Sequence, residues 1–210
     1  MYENLTVVEH PLVKHKLTRI RDKSVDPKEF RETLDEITML LAYEVTRTFP
    51  LEECTVETPL MPYKGAKLPD VEPAVIVILR AALGFLPAML KLLPNAKTGH
   101  IGMSRDHETL RPIHYYCKLP TALEKRETIL LDPMLATGYS AVAAVDFLKQ
   151  AGAKNIRFMC LIAAPEGVEV MRQHHPDVMI YTGALDEKLN EKGYIIPGIG
   201  DAGDRIFGTY

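Results

Sequence analysis

Four uninterrupted apolar runs frame this chain. Val75-Ile-Val-Ile-Leu79, Thr128-Ile-Leu-Leu-Leu-Asp132, Asn155-Ile-Arg-Phe-Met-Cys-Leu-Ile162 and Val178-Met-Ile-Tyr-Thr182 lack the alternation of a half-exposed strand. Each predicts a strand covered on both faces. Between and before them the spacing turns helical. Ala82 to Leu93, Ser140 to Gln150 (closed by Gly152) and Glu166 to His174 predict helices. Upstream, Asp26-Pro27-Lys28-Glu29 combines a capping aspartate, a first-turn proline and a glutamate three residues on. Phe30, Leu34, Ile37, Leu41 and Val45 then recur at helical spacing until Pro50. A shorter helix is expected from His10 to Arg21. Strands alternating with helices imply an α/β fold: a doubly wound parallel sheet with flanking helices and an N-terminal helical layer. From Gly99 to Pro120, Thr109-Leu110-Arg111-Pro112 divides two strand-like runs and predicts a hairpin, a candidate β flap. From Tyr194 onward glycine and aspartate abound, and the tail is expected to form no helix.

Composition narrows the class without naming a function. At 210 residues the chain is expected to form one domain over 1–210. Its formal net charge of −3 gives no support to nucleic-acid binding. Ala74 to Leu90 is apolar enough to raise the question of a membrane span, but Arg80, Gly84 and Pro87 interrupt it. Met1-Tyr2-Glu3-Asn4 shows no basic-then-apolar leader. The expectation is a soluble, cytoplasmic protein with no membrane partner. Three widely spaced cysteines, Cys54, Cys117 and Cys160, contain no metal or redox pair, and Cys54 and Cys160 are expected as buried free thiols. His100, His107 and His114 have no ligand spacing, and His174-His175 is expected to interact with a helix dipole.

The strongest local signal for chemistry is Asp132-Pro133-Met134-Leu135-Ala136-Thr137-Gly138-Tyr139-Ser140. A buried strand ends in an acid, and Thr-Gly-x-Ser opens a helix. Strand carboxyl ends bind ligands in open α/β sheets, and a helix N-terminus suits a phosphate. Asp132 suits sugar hydroxyls or a water on a metal; the plain alternative is an ordinary turn with Thr137 and Ser140 as caps. Gly198-Ile-Gly-Asp-Ala-Gly203 fits a dinucleotide fingerprint literally but not in context, because too little chain follows it. It reads better as a backbone-rich loop that meets the edge of a flat polar ligand. Arg80 closes an apolar strand and Arg105 lies in the expected flap; both suit a polyphosphate, while a structural ion pair for Arg80 and a solvated charge for Arg105 remain open.

Together these residues resemble the uracil phosphoribosyltransferase family. Asp132 to Ser140 looks like its phosphoribosyl pyrophosphate (PRPP) loop, and Tyr194 to Thr209 like its uracil-binding C-terminal segment. Further matches are His10-Pro-Leu-Val-Lys-His-Lys16, Ile78-Leu-Arg-Ala81, Glu108-Thr-Leu with Pro112, Ala163-Ala-Pro-Glu-Gly167 and His175-Pro-Asp-Val178. The resemblance implies a type I phosphoribosyltransferase fold and formation of UMP and pyrophosphate from uracil and PRPP. It implies that Thr137 to Ser140 take the 5′-phosphate and Asp132 the ribose hydroxyls, within a PRPP site spanning Asp132 to Ser140. Arg80 and Arg105 would take the pyrophosphate. Asp201 would face the donor, with Mg²⁺ carried by PRPP and no direct protein ligand, and would act in catalysis with Arg80 and Arg105. Ile195, Gly200, Asp201 and Ala202 would contact uracil. A homodimer or higher homo-oligomer and a GTP effector are also implied. Tyr139 stands where the family usually has a second glycine, and no acid follows the strand arginine before Pro87. A left-handed backbone at position 139 would be costly for tyrosine. Those departures motivate one alternative, a PRPP- or UMP-sensing regulator without turnover; transfer to another base is a second.

Overall fold

The computed structural model describes residues 2–105 and 112–209. In chain order the elements are β1 (Leu5–Val7), α1 (Pro11–Arg21), α2 (Pro27–Val45), β2 (Glu52–Glu57), β3 (Pro62–Lys67) and β4 (Ala74–Leu79). A 3-10 turn, Ala81–Phe85, leads into α3 (Leu86–Leu92). There follow β5 (Lys97–Arg105), β6 (Pro112–Lys118), β7 (Glu127–Leu131), β8 (Met134–Leu135), α4 (Tyr139–Gln150), β9 (Asn155–Ala163), α5 (Pro165–His174) and β10 (Met179–Leu185). The chain closes with β11 (Lys188–Leu189), β12 (Ile195–Ile196) and α6 (Ala202–Phe207).

The main sheet runs β1-β10-β9-β7-β4-β5-β6, with β8 paired beside β9 beyond the end of β7. All pairs are parallel except β5 with β6. Strand order reverses at β4: β5 is added on one side of it and β7, β9 and β10 on the other. The crevice at the carboxyl ends of β4 and β7 is therefore the topological switch point, the place where such sheets hold ligands.

Two apolar layers cover the sheet. One face packs Val75, Val77, Ile129, Leu131, Met159 and Leu161 against α1, α2, α3 and α6. The other packs Ile76, Ile78, Leu130, Phe158 and Cys160 against α4 and α5. Alternate residues of one strand thus enter opposite cores, which is why these strands read as unbroken apolar runs. In α2, Phe30, Leu34, Ile37, Leu41 and Val45 are all fully buried, and the Asp26 carboxylate accepts the Glu29 N–H at 2.8 Å as a helix cap.

Several expectations need correction. The predicted helix from Ala82 to Leu93 is split into a 3-10 turn and a seven-residue α3. Pro87 lies in the first turn of α3, where its missing N–H costs no hydrogen bond. The tail is not free of helix: Asp201 accepts the Asp204 N–H at 3.0 Å as the N-cap of α6, and Gly208 closes that helix at φ +67°. Local caps outweigh the low helix propensity of glycine and aspartate. The strands expected to carry the flap form the antiparallel β5–β6 edge of the main sheet. The flap's His107, Glu108, Thr109, Leu110 and Arg111 lie outside the described residues. A different hairpin, β2–β3, stands apart as its own two-stranded sheet. Cys160 is buried as expected, but Cys54 is half-buried and Cys117 exposed. No described helix is long and apolar enough to cross a membrane.

Candidate active site

At the switch point β7 delivers Asp132, half-buried, just past its last residue. The following segment is laced onto β9. The Asp132 N–H donates to Met159 O at 3.2 Å, the Leu161 N–H donates to Pro133 O at 3.0 Å, and the Ala164 N–H donates to Leu135 O at 2.9 Å. Gly138 then turns the chain into α4 at φ +83°. No side chain among the described residues caps this helix, so the reading of Thr137 and Ser140 as ordinary caps does not hold. The first-turn amides are left for another acceptor, and the dipole end favours an anion there.

Gly167 is what allows this loop to sit where it does. A Cβ there would lie 2.4 Å from Ala136 O and 2.6 Å from Leu135 O, distances that real Cβ atoms do not tolerate against backbone. Pro165 starts α5 and Gly167 presses it against the loop, so Ala163-Ala-Pro-Glu-Gly167 acts as the loop's backing. Tyr139 is the first residue of α4 and is 47% exposed. Among the described residues the left-handed backbone falls on Gly138 and not on Tyr139, so the cost expected for tyrosine is not incurred. Behind the loop, burial, with a smaller contribution from the Asp132 charge, pushes the Cys160 thiol up to about 12.

Across the crevice, β4 ends at Leu79 and the exposed Arg80 follows. No carboxylate among the described residues lies within ion-pair distance of Arg80; its guanidinium stands 5.6 Å over the Phe207 ring instead. Among the described residues, then, no structural ion pair accounts for it. Arg105 ends β5, the strand beside β4, and its side chain lies outside the described residues.

The C-terminal segment reaches the same place. Its α6 packs on α2 and on the 3-10 turn after Arg80; a Cβ on Gly203 would sit 3.8 Å from the Ala81 Cβ. Ile195 is buried in β12, paired with Leu189. Gly200 and Asp201 are exposed, and Ala202 is buried at the start of α6. Asp201 is thus a helix cap as well as an exposed carboxylate, not a plain loop residue. A cleft of about 400 Å³ lies against this segment, lined by Arg21, Lys23, Ile199, Gly200 and Asp201 among others. Two arginines outside the sequence motifs, Arg21 and Arg31, and one within the C-terminal segment, Arg205, hold it. Arg205 donates to Ile199 O at 3.1 Å, Ile20 O at 2.6 Å and Asp22 O at 2.6 Å. Arg31 donates to Ile206 O at 2.8 Å, and Arg21 to Gly198 O at 2.8 Å. Arg21 and Arg31 bridge 177 and 175 residues, so no local spacing in the sequence signals them.

No three His, Cys, Asp or Glu side chains among the described residues gather as a metal cage. His100 and His114 belong to no such group, and His107 lies outside the description. The two carboxylates flanking the crevice, Asp132 and Asp201, are oxygen donors of the kind a hard dication accepts. Mg²⁺ held mainly by phosphate oxygens and water needs only one or two of these.

Comparison with known proteins agrees with this geometry. A family profile described as uracil phosphoribosyltransferase matches residues 7–209. The uracil phosphoribosyltransferase of Dictyoglomus turgidum is 60% identical over 97% of this chain and 98% of its own length. That of Bacillus licheniformis is 61% identical over 97% of each. Among solved structures, an Aquifex aeolicus protein superposes with a TM-score of 0.92 at 39% identity, covering 98% of both chains. A purine phosphoribosyltransferase from Pyrococcus horikoshii, at 15% identity and TM-score 0.51 over 76% of this chain and 90% of that one, shares the fold. Loop, switch point and C-terminal segment thus sit on a phosphoribosyltransferase scaffold, and by profile and by identity over nearly its whole length the chain belongs to the uracil phosphoribosyltransferase family.

Proposed function

We propose that this protein transfers the phosphoribosyl group of PRPP to N1 of uracil, giving UMP and pyrophosphate with inversion at C1′. One observation carries the reading: the base-binding segment of the family docks its α6 on the turn that follows Arg80, at the switch point whose other bank is the phosphate loop. Donor and acceptor sites therefore share one crevice.

The uncapped first turn of α4, with the hydroxyls of Thr137 and Ser140, takes the 5′-phosphate. Pro133 to Ala136 and Tyr139 shape the wall of that site, and Asp132 accepts from the ribose hydroxyls. Arg80 and Arg105 take the pyrophosphate, on which negative charge builds as the C1′–O bond breaks. Mg²⁺ bound with PRPP would supply further positive charge to the leaving group. Asp201 faces the donor, through water where Mg²⁺ is present. Backbone groups of Ile195, Gly200 and Ala202 read the base. Uracil offers an N3–H donor and an O4 acceptor, and cytosine reverses both. The wrong base would leave buried partners unpaired at about 1–3 kcal/mol each.

The regulator alternative draws on Tyr139 and on the missing acid before Pro87, and the ordinary helical start at Tyr139 removes the first of these supports. The test is direct: protein, Mg²⁺, PRPP and uracil are mixed and UMP and pyrophosphate are measured. Both products are expected in equal amounts; neither above background would sink the proposal.

A further inference from the structure

The base-reading segment carries a clamp that none of its motifs includes. Asp186, in the turn after β10, has a side chain only 4% exposed. Its carboxylate accepts from Arg21 twice, Oδ1 from Nη2 at 2.6 Å and Oδ2 from Nη1 at 2.8 Å. The same Oδ2 accepts the Gly198 N–H at 2.9 Å, and the same Arg21 Nη1 donates to Gly198 O at 2.8 Å. One forked ion pair thus holds both polar backbone groups of a single residue. Gly198 has φ +63°, and a Cβ there would lie 2.1 Å from Ile195 O. It stands between Ile195 and Gly200, two of the residues assigned to the base.

Each half of the pair has its own support. Arg21 is the last residue of α1, where the helix dipole favours a cation. The Asp186 N–H donates to Ala163 O at 2.8 Å, so the carboxylate is anchored to the end of β9, the strand that also laces the phosphate loop. A guanidinium suits the task because its planar fork meets the carboxylate at two points with one N–H left for the carbonyl. A lysine ammonium is a point charge and does not reproduce the fork.

We propose that Arg21 and Asp186 are positioning residues for uracil: they fix Gly198 and thereby set the spacing of the backbone groups at Ile195, Gly200 and Ala202. This rests on the assignment of the base to that segment. Neither side chain is proposed to touch substrate. A merely structural ion pair would lower stability when broken and leave uracil recognition alone. A positioning pair makes a different demand, because Gly198 stands among the groups assigned to the base, while the phosphate loop from Asp132 to Ser140, assigned to the 5′-phosphate and ribose, is built without it.

The test uses Arg21→Lys, Arg21→Gln, Asp186→Asn and the double variant Arg21→Met/Asp186→Leu. Wild-type turnover of uracil is the control for the functional assignment itself. The single variants are expected to raise KM for uracil about tenfold or more, since small misplacements of recognition groups are costly. KM for PRPP is expected to stay within about threefold. Arg21→Lys should fall between wild type and Arg21→Gln. The double variant removes both buried charges and should recover much of the melting temperature lost by the single ones, without recovering KM for uracil. Hydrogen exchange of residues 198–201, expected to speed up about tenfold or more in the single variants, reads the clamp even in a protein that turns nothing over. Unchanged exchange in this loop, an unchanged KM for uracil beside a lowered melting temperature, or recovery of both by the double variant would each overturn the proposal.

Discussion

The two banks of the crevice are built in opposite ways. The phosphate loop is local: a strand end, one glycine turn and a helix start, backed by Gly167, all within the 36 residues from Asp132 to Gly167. The base segment is remote: β12, a glycine turn and α6, tied to helices far back along the chain by Arg21 of α1, by Arg31 of α2 and by its own Arg205, which reaches Ile20 O and Asp22 O. The difference matches the ligands. A phosphate is met by amides and a dipole that any helix start supplies. A base edge needs groups in one fixed register, and a short helix with glycines on either side keeps register only when other elements hold it.

The largest effect should come from crowding the local bank. Gly167→Ala places a methyl group against Ala136 O and Leu135 O and must shift the phosphate loop. A displacement of about 1 Å costs about 100-fold, expected here in kcat/KM for PRPP with KM for uracil little changed. Steady-state kinetics with each substrate varied in turn would show it, and a matching rise in KM for uracil would break the comparison.

On the remote bank, Asp201 separates charge from scaffold. Asp201→Asn keeps a cap for α6 and removes the carboxylate, and is expected to lower kcat about tenfold or more. Asp201→Ala should lower kcat as much and also cost about 1 kcal/mol of stability through the lost cap. Turnover and thermal melting of the two variants side by side check this.

A smaller effect is expected from Tyr139→Gly, which introduces the family's usual residue. Because Tyr139 occupies an ordinary helical position, the glycine should lower stability by about 0.5–1 kcal/mol, read by denaturant unfolding. Any stabilisation would mean that the tyrosine is strained.

The smallest effect tests the floor of the phosphate loop. The Cys160 thiol is pushed up to about 12 from an ordinary 9.0, burial being the main cause. A thiol raised in this way contributes stability that is fully present below pH 9 and is lost as pH rises through 12. At pH 9 the folded protein should therefore alkylate at Cys54 and Cys117 while Cys160 reacts only on unfolding. Mass spectrometry of the labelled protein settles the pattern.

What could be read from the sequence follows the same division. The parallel strands were legible because burial on both faces leaves an unbroken apolar run, as in Val75 to Leu79. The helix α2 was legible because its cap and its stripe agree. The phosphate loop was legible because its parts are contiguous. The hairpin β2–β3 was not: Glu52 to Glu57 is exposed on both faces apart from the half-buried Cys54, so no alternation marks it. The helix α6 was hidden by composition, since Asp201 and Gly208 resemble a loop until they are seen as its two caps. The clamp was hidden by distance, because Arg21 and Asp186 meet across 165 residues and neither is unusual in its own neighbourhood.

Base discrimination tests most directly whether backbone groups in a held register read uracil. The measurement is kcat/KM for uracil against cytosine, with hypoxanthine and adenine beside them, at fixed Mg²⁺ and PRPP. Two reversed hydrogen-bonding groups at about 1–3 kcal/mol each predict a preference for uracil over cytosine of about 30-fold or more, with no purine product. Turnover of cytosine or of either purine within about tenfold of uracil would contradict it.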